Sequence, residues 1–416
     1  MGGVHPAQSE HPSCIDAVRI VFASAPAFGH VNPMLALARA FVDGDDDVVM
    51  ATSPEMGARA DAAGIHAVQA GSNMSVWWAE LTRRTGGAPG DGLPVDRILP
   101  YFIPRLFAEV GSQQQIDDLV RWVRGADLVI FDTFAFAGPL AAAVAGVPAV
   151  HHLLGPPPPL EAMVLAGDAV APLWRKWQLE PRPYGGTYAA LTLTICPPIL
   201  GLTDVPQGSQ IATLRPVMFD AGKGEALPAW MHDLPRRPNV YMTLGTVTNT
   251  DVGVFVAACE GLAGEPVNLI ITVGPANDPA ALGPLPTNTH VERYIPQSLL
   301  LPLCDAVIHH GGSGTMLASL RAGLPQLIIP QGADQYINAS VCREAGLADR
   351  LLPSDASPPA VRDRVRGMLQ SEAMKTRAER ARAEVEAMPD PAAVAESLRE
   401  MARSHSLLRS MRHVDR

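Results

Sequence analysis

The stretch DAVIHHGGSGTMLASLRAGLPQLIIPQGADQYINA, residues 305–339, decides the fold. An apolar run at 306–308 predicts a buried strand, and the glycine-rich turn at 309–315 leads into an apolar helical segment. Glycines in such a turn let backbone N–H groups approach an anion, and the start of the helix adds a favourable dipole. The stretch therefore predicts a phosphate-binding turn between a strand and a helix.

A second polar loop follows the next strand along the chain. Residues 323–325 end the helix, residues 326–329 form the next apolar strand, and Asp334 and Gln335 lie shortly beyond it. Loops after the carboxyl ends of parallel strands converge on one crevice. We therefore expect Asp334 and Gln335 to share a site with the phosphate turn and to offer polar groups to hydroxyls.

The composition is that of a soluble globular protein with an acidic surface. The 416 residues are 47% hydrophobic and carry a net charge of −10, which argues against nucleic acid or an anionic membrane as partner. No apolar run approaches the roughly 20 residues that span a bilayer, and the N-terminus lacks a secretory pattern. The five cysteines are scattered without a CxxC pair, so we expect a reduced, cytoplasmic protein.

Both halves of the chain open with a strand, a turn and a helix. Residues 18–23 form a strand, followed by a helix that Asn32 could cap with Pro33 at its first position. Residues 240–244 form a strand, followed by a turn at Gly245 and Thr246. The pattern predicts an α/β protein of two doubly wound, Rossmann-like domains facing a central cleft. The predicted segments are a disordered lead-in (1–16), a first Rossmann-like domain (17–214), an interdomain linker (215–237), a second Rossmann-like domain (238–395) and a helical tail (396–416).

Two other segments carry alternative interpretations. The acidic run DGDDD at 43–47 is superficially like a metal-binding motif, but no other oxygen ligands lie nearby in the chain, so we predict a solvated turn and no metal. Residues 70–99 are predicted to be irregular, which suggests either a binding lid or a disordered insertion. The adjacent Trp77 and Trp78 suggest a hydrophobic pocket beside this segment. Core anchoring is an equally open role for either tryptophan.

The central stretch, together with HVERYIPQ at 290–297, resembles the nucleotide-binding signature of family 1 glycosyltransferases. The resemblance is to the bacterial form that glycosylates natural products, and it covers about fifty contiguous residues. It implies the GT-B fold, in which the last helix crosses back onto the first domain. It also implies a nucleotide-sugar donor as co-substrate and no cofactor. The resemblance makes residues 17–214 the acceptor-binding domain and residues 238–395 the nucleotide-sugar-binding domain.

The resemblance assigns the donor site residue by residue. It implies that His309 contacts the diphosphate, that Tyr294 stacks on the base beside Ile295, and that Asp334 and Gln335 hold sugar hydroxyls. For Asp334 the alternative is a helix cap, and for His310 we expect a packing or orienting role. The remaining predicted donor-binding residues are Gly245, Thr246, Gln297, Gly312, Ser313, Gly314 and Thr315.

The nucleotide is predicted from one substitution. UDP-sugar enzymes of the family carry a ribose-binding glutamate eight positions after the first histidine of the motif, where this chain has Leu317. An apolar side chain cannot accept those hydrogen bonds, and an unpaired hydroxyl costs about 1–3 kcal/mol. We therefore favour dTDP over UDP.

On the acceptor side, His30 matches the catalytic base of the family and Asp132 the carboxylate that orients it. An imidazole can take a proton from an acceptor hydroxyl as that oxygen attacks the anomeric carbon. The predicted acceptor-binding residues are Phe28, Trp77, Trp78 and Phe134.

The sequence thus predicts an inverting, metal-independent transfer of a sugar, preferably deoxygenated, from a dTDP- or UDP-sugar to a hydrophobic natural product. The enzyme is expected to be a monomer or homodimer. Two alternatives stay open, a GT-B nucleotide-sugar epimerase and a non-catalytic nucleotide-binding partner of another transferase.

Overall fold

The structure is a computed structural model that describes residues 17–201, 203–220, 225–245, 252–274 and 277–414, with side chains to His405. These residues form two parallel sheets, of seven and six strands, with helices on their faces. The predicted α/β class is therefore confirmed. The predictions for residues 1–16 and Thr246, and part of the predicted linker, lie outside the described residues.

The first sheet has the strand order β3-β2-β1-β4-β5-β6-β7. Its strands are β1 (Arg19–Ala23), β2 (Asp47–Thr52), β3 (His66–Gln69), β4 (Leu128–Asp132), β5 (Ala149–His152), β6 (Thr192–Thr194) and β7 (Ile211–Thr213). Its helices are α1 (Phe28–Val42), α2 (Pro54–Ala62), α3 (Met74–Thr85), α4 (Val95–Phe102), α5 (Ser112–Val123), α6 (Ala137–Ala145) and α7 (Leu160–Lys176), with a π-helix (Ile103–Gly111) joining α4 to α5.

The second sheet has the strand order β10-β9-β8-β11-β12-β13. Its strands are β8 (Asn239–Thr243), β9 (Asn268–Thr272), β10 (Thr289–Glu292), β11 (Ala306–His309), β12 (Gln326–Ile328) and β13 (Ala348–Arg350). The helices of this half and the tail are α8 (Val252–Leu262), α9 (Gln297–Leu300), α10 (Ser313–Ala322), α11 (Gln335–Glu344), α12 (Pro358–Gln370), α13 (Glu372–Ala387) and α14 (Pro391–Val414).

Both sheets are covered on both faces, which explains why their strands are continuous apolar runs. In β1, Ile20 and Phe22 face one buried cluster, whereas Val21 and Ala23 face another. The strand order reverses direction between β1 and β4 in the first sheet and between β8 and β11 in the second. Ligands of such sheets bind at these switch points, beyond the carboxyl ends of the strands.

Two local predictions in the first half are wrong. Helix α1 begins at Phe28, one turn before the predicted start, so Asn32 lies inside the helix and accepts a hydrogen bond from Arg59 (2.8 Å). Residues 70–99 are not irregular, because they contain α3 and the start of α4. Gly86 ends α3 in the left-handed conformation (φ 74°), where glycine avoids the steric cost of a Cβ.

Helix α14 packs on α1 of the first sheet. Its apolar residues Val394, Ala395, Leu398 and Ala402 join the buried cluster that contains Ile20 and Phe22. The Nε atom of Arg399 donates to Asp46 Oδ2 over 2.6 Å, and both side chains are largely buried. This buried ion pair therefore ties the tail to the turn after α1.

The first four residues of the acidic run, 43–46, lie in that turn after α1, as predicted, and Asp47 is the first residue of β2. The turn is not fully solvated, since Asp46 is paired with Arg399 and also accepts from Val18 N over 3.2 Å. Within the described ranges, no group of three or more His, Cys, Asp or Glu side chains is placed to hold a metal ion. None of the described helices combines the length and apolarity that crossing a bilayer would need.

Candidate active site

A histidine and a carboxylate meet at the switch point of the first sheet. His30 lies in the first turn of α1, directly after β1, and Asp132 is the last residue of the neighbouring strand β4. The distance from His30 Nδ1 to Asp132 Oδ1 is 3.0 Å. This contact places the proton of a neutral imidazole on Nδ1 and leaves Nε2 as the basic atom.

Backbone amides fix the Asp132 carboxylate. Its Oδ2 accepts from Ala25 N over 2.6 Å, and its Oδ1 accepts from Phe134 N over 2.7 Å. Complete burial acts to raise the pKa of Asp132, but His30 and the two amides outweigh it and hold the pKa below its ordinary value. Asp132 is therefore ionised at neutral pH and can stabilise His30 when that ring accepts a proton.

Two phenylalanines flank the imidazole. Phe107 stacks on His30 with ring centres 5.5 Å apart, Phe134 lies against it at 5.4 Å, and the two phenylalanine rings are 4.9 Å apart. Phe107 belongs to the π-helix, a geometry that often occurs at functional sites. The sequence analysis missed Phe107, because an apolar helical pattern does not reveal which residue a π-helix turns toward the site.

The other predicted acceptor residues lie at different depths. Phe28 and Trp78 are exposed, at 40% and 38%, and Trp78 packs edge-on against Phe102. Trp77 is fully buried and meets the edge of Phe107 at 6.3 Å. In this structure Trp77 thus supports the aromatic wall beside His30 and does not form it, which is the core-anchoring alternative.

His309 lies inside the protein, below the glycine-rich turn. The Gly311 amide donates to its Nδ1 (3.0 Å), so its Nε2 carries the proton and donates to Gln326 Oε1 (2.8 Å). Burial, with a smaller contribution from His310, lowers the pKa of His309 to about 3. Both ring nitrogens of His309 make hydrogen bonds within the protein, and its side chain has no exposed surface. The structure therefore does not support the predicted contact of His309 with a phosphate. Instead, the ring links the Gly311 amide to the Gln326 side chain.

His310 lies closer to the turn, in contact with two predicted phosphate-binding glycines. A Cβ added to Gly245, whose φ is 82°, would lie 2.7 Å from the His310 ring, and one added to Gly312 would lie 2.5 Å from its Nε2. Burial lowers the pKa of His310 to about 4, so the ring is neutral at neutral pH. The ring of His310 therefore packs between the loops of Gly245 and Gly312, both of which are predicted to face the donor. This position agrees with the packing role expected for His310.

Side chains at the start of α10 contact the predicted base-binding segment. Gln297 Nε2 lies 3.2 Å from Thr315 Oγ1, and Ile295 is buried in one apolar cluster with Ala318. Leu317 is buried in the opposite cluster, together with residues of α1. The next residue, Ala318, belongs to the same cluster as Ile295 and is also apolar. Tyr294 is 44% exposed, and its hydroxyl donates to the Asp220 carbonyl over 2.7 Å.

Asp334 is held at the edge of the cleft by polar side chains. Ser313 Oγ donates to Asp334 Oδ2 over 3.2 Å, and Asn338 Nδ2 donates to the same oxygen over 3.1 Å. The alternative of a capping side chain is not observed, although α11 begins one residue later. Burial raises the pKa of Asp334, opposed by these hydrogen bonds and by the charge of His30 from the other half of the chain.

Gln335 closes the loop that carries Asp334. Its Oε1 accepts from the amides of Gln331 (2.7 Å) and Gly332 (3.1 Å), so its NH₂ group is what it can offer to a ligand. Ala333, which lies between Gly332 and Asp334 in this loop, adopts a left-handed conformation with φ 50°. The loop is thus held in one shape beside the phosphate turn.

Comparison with known proteins connects this site to a class of enzymes. Residues 263–401 match the family model described as "Erythromycin biosynthesis protein CIII-like, C-terminal domain". The chain is 30% identical to an L-demethylnoviosyl transferase of Streptomyces niveus, over 81% of this chain and 86% of that protein. It is 28% identical to 3-alpha-mycarosylerythronolide B desosaminyl transferase of Saccharopolyspora erythraea, over 92% and 98%.

Solved structures of the same kind superpose on nearly the whole chain. The glycosyltransferase SnogD from Streptomyces nogalater matches with a TM-score of 0.73 and 29% identity, over 93% of this chain and 99% of that one. The glycosyltransferase VinC in complex with dTDP matches with a TM-score of 0.75 and 26% identity, over 93% and 100%. The fold and these matches define a glycosyltransferase of the GT-B class, which confirms the predicted fold. The chain belongs to the natural-product glycosyltransferases, enzymes that make antibiotics among other compounds.

Proposed function

We propose that this enzyme transfers a deoxysugar from a dTDP-sugar to a hydroxyl of a hydrophobic natural product, with inversion and with His30 as general base. The observation that carries the proposal is the 3.0 Å contact between His30 and Asp132. His30 also lies close enough to Asp334 for its charge to oppose the rise that burial causes in the pKa of that carboxyl. With Nδ1 held by a buried carboxylate, Nε2 can accept the proton of an acceptor hydroxyl while its oxygen attacks the anomeric carbon. A single displacement of this kind inverts that carbon.

In this proposal, groups of the protein stabilise the negative charge of the leaving diphosphate, and no metal ion takes part. The first turn of α10 presents free N–H groups and the positive end of a helix dipole, directly after the glycine-rich turn. The neutral ring of His310 lies between this turn and Gly245. These groups can stabilise negative charge as it develops on the leaving oxygen.

A dTDP donor is supported by the base-binding segment. The apolar residues Leu317 and Ala318 of α10 cannot accept hydrogen bonds from a ribose, so a nucleotide with fewer sugar hydroxyls loses less there. The structure of VinC was solved with dTDP, and relatives are named as transferases of desosamine, mycaminose and rhodosamine. Asp334 and the NH₂ group of Gln335 are then placed to bind hydroxyls of the donor sugar.

A hydrophobic acceptor is supported by the aromatic surface around His30. Phe107 and Phe134 pack on the imidazole, and Phe28 and Trp78 expose further apolar surface on nearby elements. We keep the division into an acceptor domain (17–214) and a donor domain (238–395) as part of this proposal. A cytoplasmic location, a monomer or homodimer, and the lack of a cofactor belong to it as well.

The test is to incubate the protein with a dTDP-deoxysugar and a panel of polyketide aglycones and to analyse the products by mass spectrometry. We expect a glycoside with the opposite anomeric configuration to the donor by NMR, formed equally well with EDTA present. Isomerised nucleotide sugar without any glycoside would support an epimerase instead. Nucleotide binding without any turnover across the panel would support a non-catalytic partner.

A further inference from the structure

A glycine of the first half touches the donor site of the second half. Gly155 lies in the loop after β5, and it is buried. A Cβ added to it would lie 2.3 Å from Ser313 Oγ and 2.9 Å from Ser313 Cβ. Contacts this short are not tolerated, so a larger residue at position 155 must displace Ser313 or separate the two loops.

Position 155 requires glycine because there is no room for a Cβ. Its backbone conformation does not require glycine. Gly155 is absent from the residues with positive φ, so an L-residue can adopt its backbone angles. Among the described residues, Ser313 alone comes within 4 Å of the added Cβ. The constraint on position 155 therefore comes from a single side chain of the opposite half.

Ser313 is itself part of the predicted donor site. It is the first residue of α10, so its backbone belongs to the turn that faces the diphosphate. Its hydroxyl donates to Asp334 Oδ2 (3.2 Å) and lies 3.1 Å from Asn338 Nδ2, which also donates to the Gly311 carbonyl (2.8 Å). A shift of Ser313 would disturb the glycine-rich turn and the Asp334 carboxylate together.

We propose that Gly155 is a positioning residue for donor binding, through which the acceptor half sets the place of Ser313. The inference rests on the proposed function, since it takes the Ser313 turn as the diphosphate site. Its consequence is that a change in the acceptor half weakens nucleotide binding in the other half, without any contact between Gly155 and the nucleotide.

The experiment measures dTDP binding by isothermal titration calorimetry in a double-mutant cycle. Gly155→Ala should raise the Kd for dTDP about tenfold, because overpacking is costly at such a distance. Ser313→Gly removes both clashing atoms, so adding Gly155→Ala to it should change Kd by less than about threefold. Gly87→Ala is the matched control, since a Cβ there meets nothing within 4 Å.

The possible outcomes separate this inference from the function it rests on. Absence of dTDP binding by the wild-type protein would contradict the proposed function. Normal binding by wild type together with unchanged binding by Gly155→Ala would overturn the positioning role. Equal losses from Gly155→Ala in both backgrounds would overturn it too, since a general folding defect does not depend on Ser313. Melting temperatures of all five proteins show whether each variant is folded.

Discussion

The imidazole of His30 and the carboxylate of Asp132 lie 102 residues apart in the chain and 3.0 Å apart in space. His30 follows β1 and Asp132 ends β4, and these two adjacent parallel strands form the switch point of the first sheet. The backbone amides of Ala25 and Phe134 hold the carboxylate in place before any ligand arrives. Because the carboxylate is already positioned, it does not have to move when the reaction takes place.

Replacing His30 with alanine should abolish most of the turnover and leave nucleotide binding intact. The variant removes the proposed base, and positioned acid–base groups contribute about 10²–10⁴-fold to rates. Turnover is measured by product formation, and the Kd for dTDP by calorimetry. His66→Ala is a suitable control, since His66 is exposed at the start of β3. Turnover of the His30 variant within about twofold of wild type would remove His30 as the base.

Replacing Asp132 with asparagine should lower turnover and remove a pH-dependent part of the stability. The pKa of Asp132 is lowered in the folded protein, so its contribution is present above its ordinary pKa and is lost as pH falls toward the lowered value. We expect the melting temperature of wild type to fall more steeply than that of Asp132→Asn below about pH 4. Parallel curves in that range would contradict the ionised state assigned to Asp132.

His309→Gln should make stability less dependent on pH in the acid range. The pKa of His309 is about 3 in the folded protein, against an ordinary value of 6.5, because the ring is buried. Between these values the unfolded chain binds the extra proton, so stability rises with pH across that window. The slope of unfolding free energy, measured with urea, should decrease by at most about 1.4 kcal/mol per pH unit. Above pH 8 the two slopes should coincide.

Arg399→Met should destabilise the protein by about 3 kcal/mol, because it leaves the buried carboxylate of Asp46 without its charged partner. Asp46 keeps only the hydrogen bond from Val18 N. Chemical denaturation measures the loss. The double variant Asp46→Asn with Arg399→Met should recover part of it, since no charge is then left unpaired. A double variant as unstable as the sum of both single changes would show that the pair is not coupled.

Much of the donor site could be predicted from local sequence. The turn at 309–315 follows a strand and opens a helix, and the Asp334 loop follows the next strand, so parallel topology alone brings them together. The ends of β1 and β4 also place His30 and Asp132 at one edge of the first sheet, whereas their roles as a base and its orienting carboxylate are predicted from the family resemblance. The positions in the fold needed only the period of apolar residues and the position of glycines.

Packing decided the roles that the local pattern left open. His309 ends β11 and turns into the core, whereas His310, one residue later, lies between Gly245 and Gly312. Consecutive residues of a strand point to opposite faces, and only the assembled layers determine which face is buried. The motif alone could not assign the two histidines, and it could not show that Leu317 and Ala318 join different buried clusters.

The sequence by itself determined two parallel α/β units, the glycine-rich turn between a strand and a helix, and the positions of His30 and Asp132 at strand ends, because these follow from short-range periodicity and from the ends of strands. Tertiary structure alone decided that Phe107 packs on His30, that Gly155 meets Ser313, and that Arg399 pairs with Asp46. These partners are 77, 158 and 353 residues apart in the printed numbering. No local rule links such residues, since their contacts depend on how whole helices and sheets pack together.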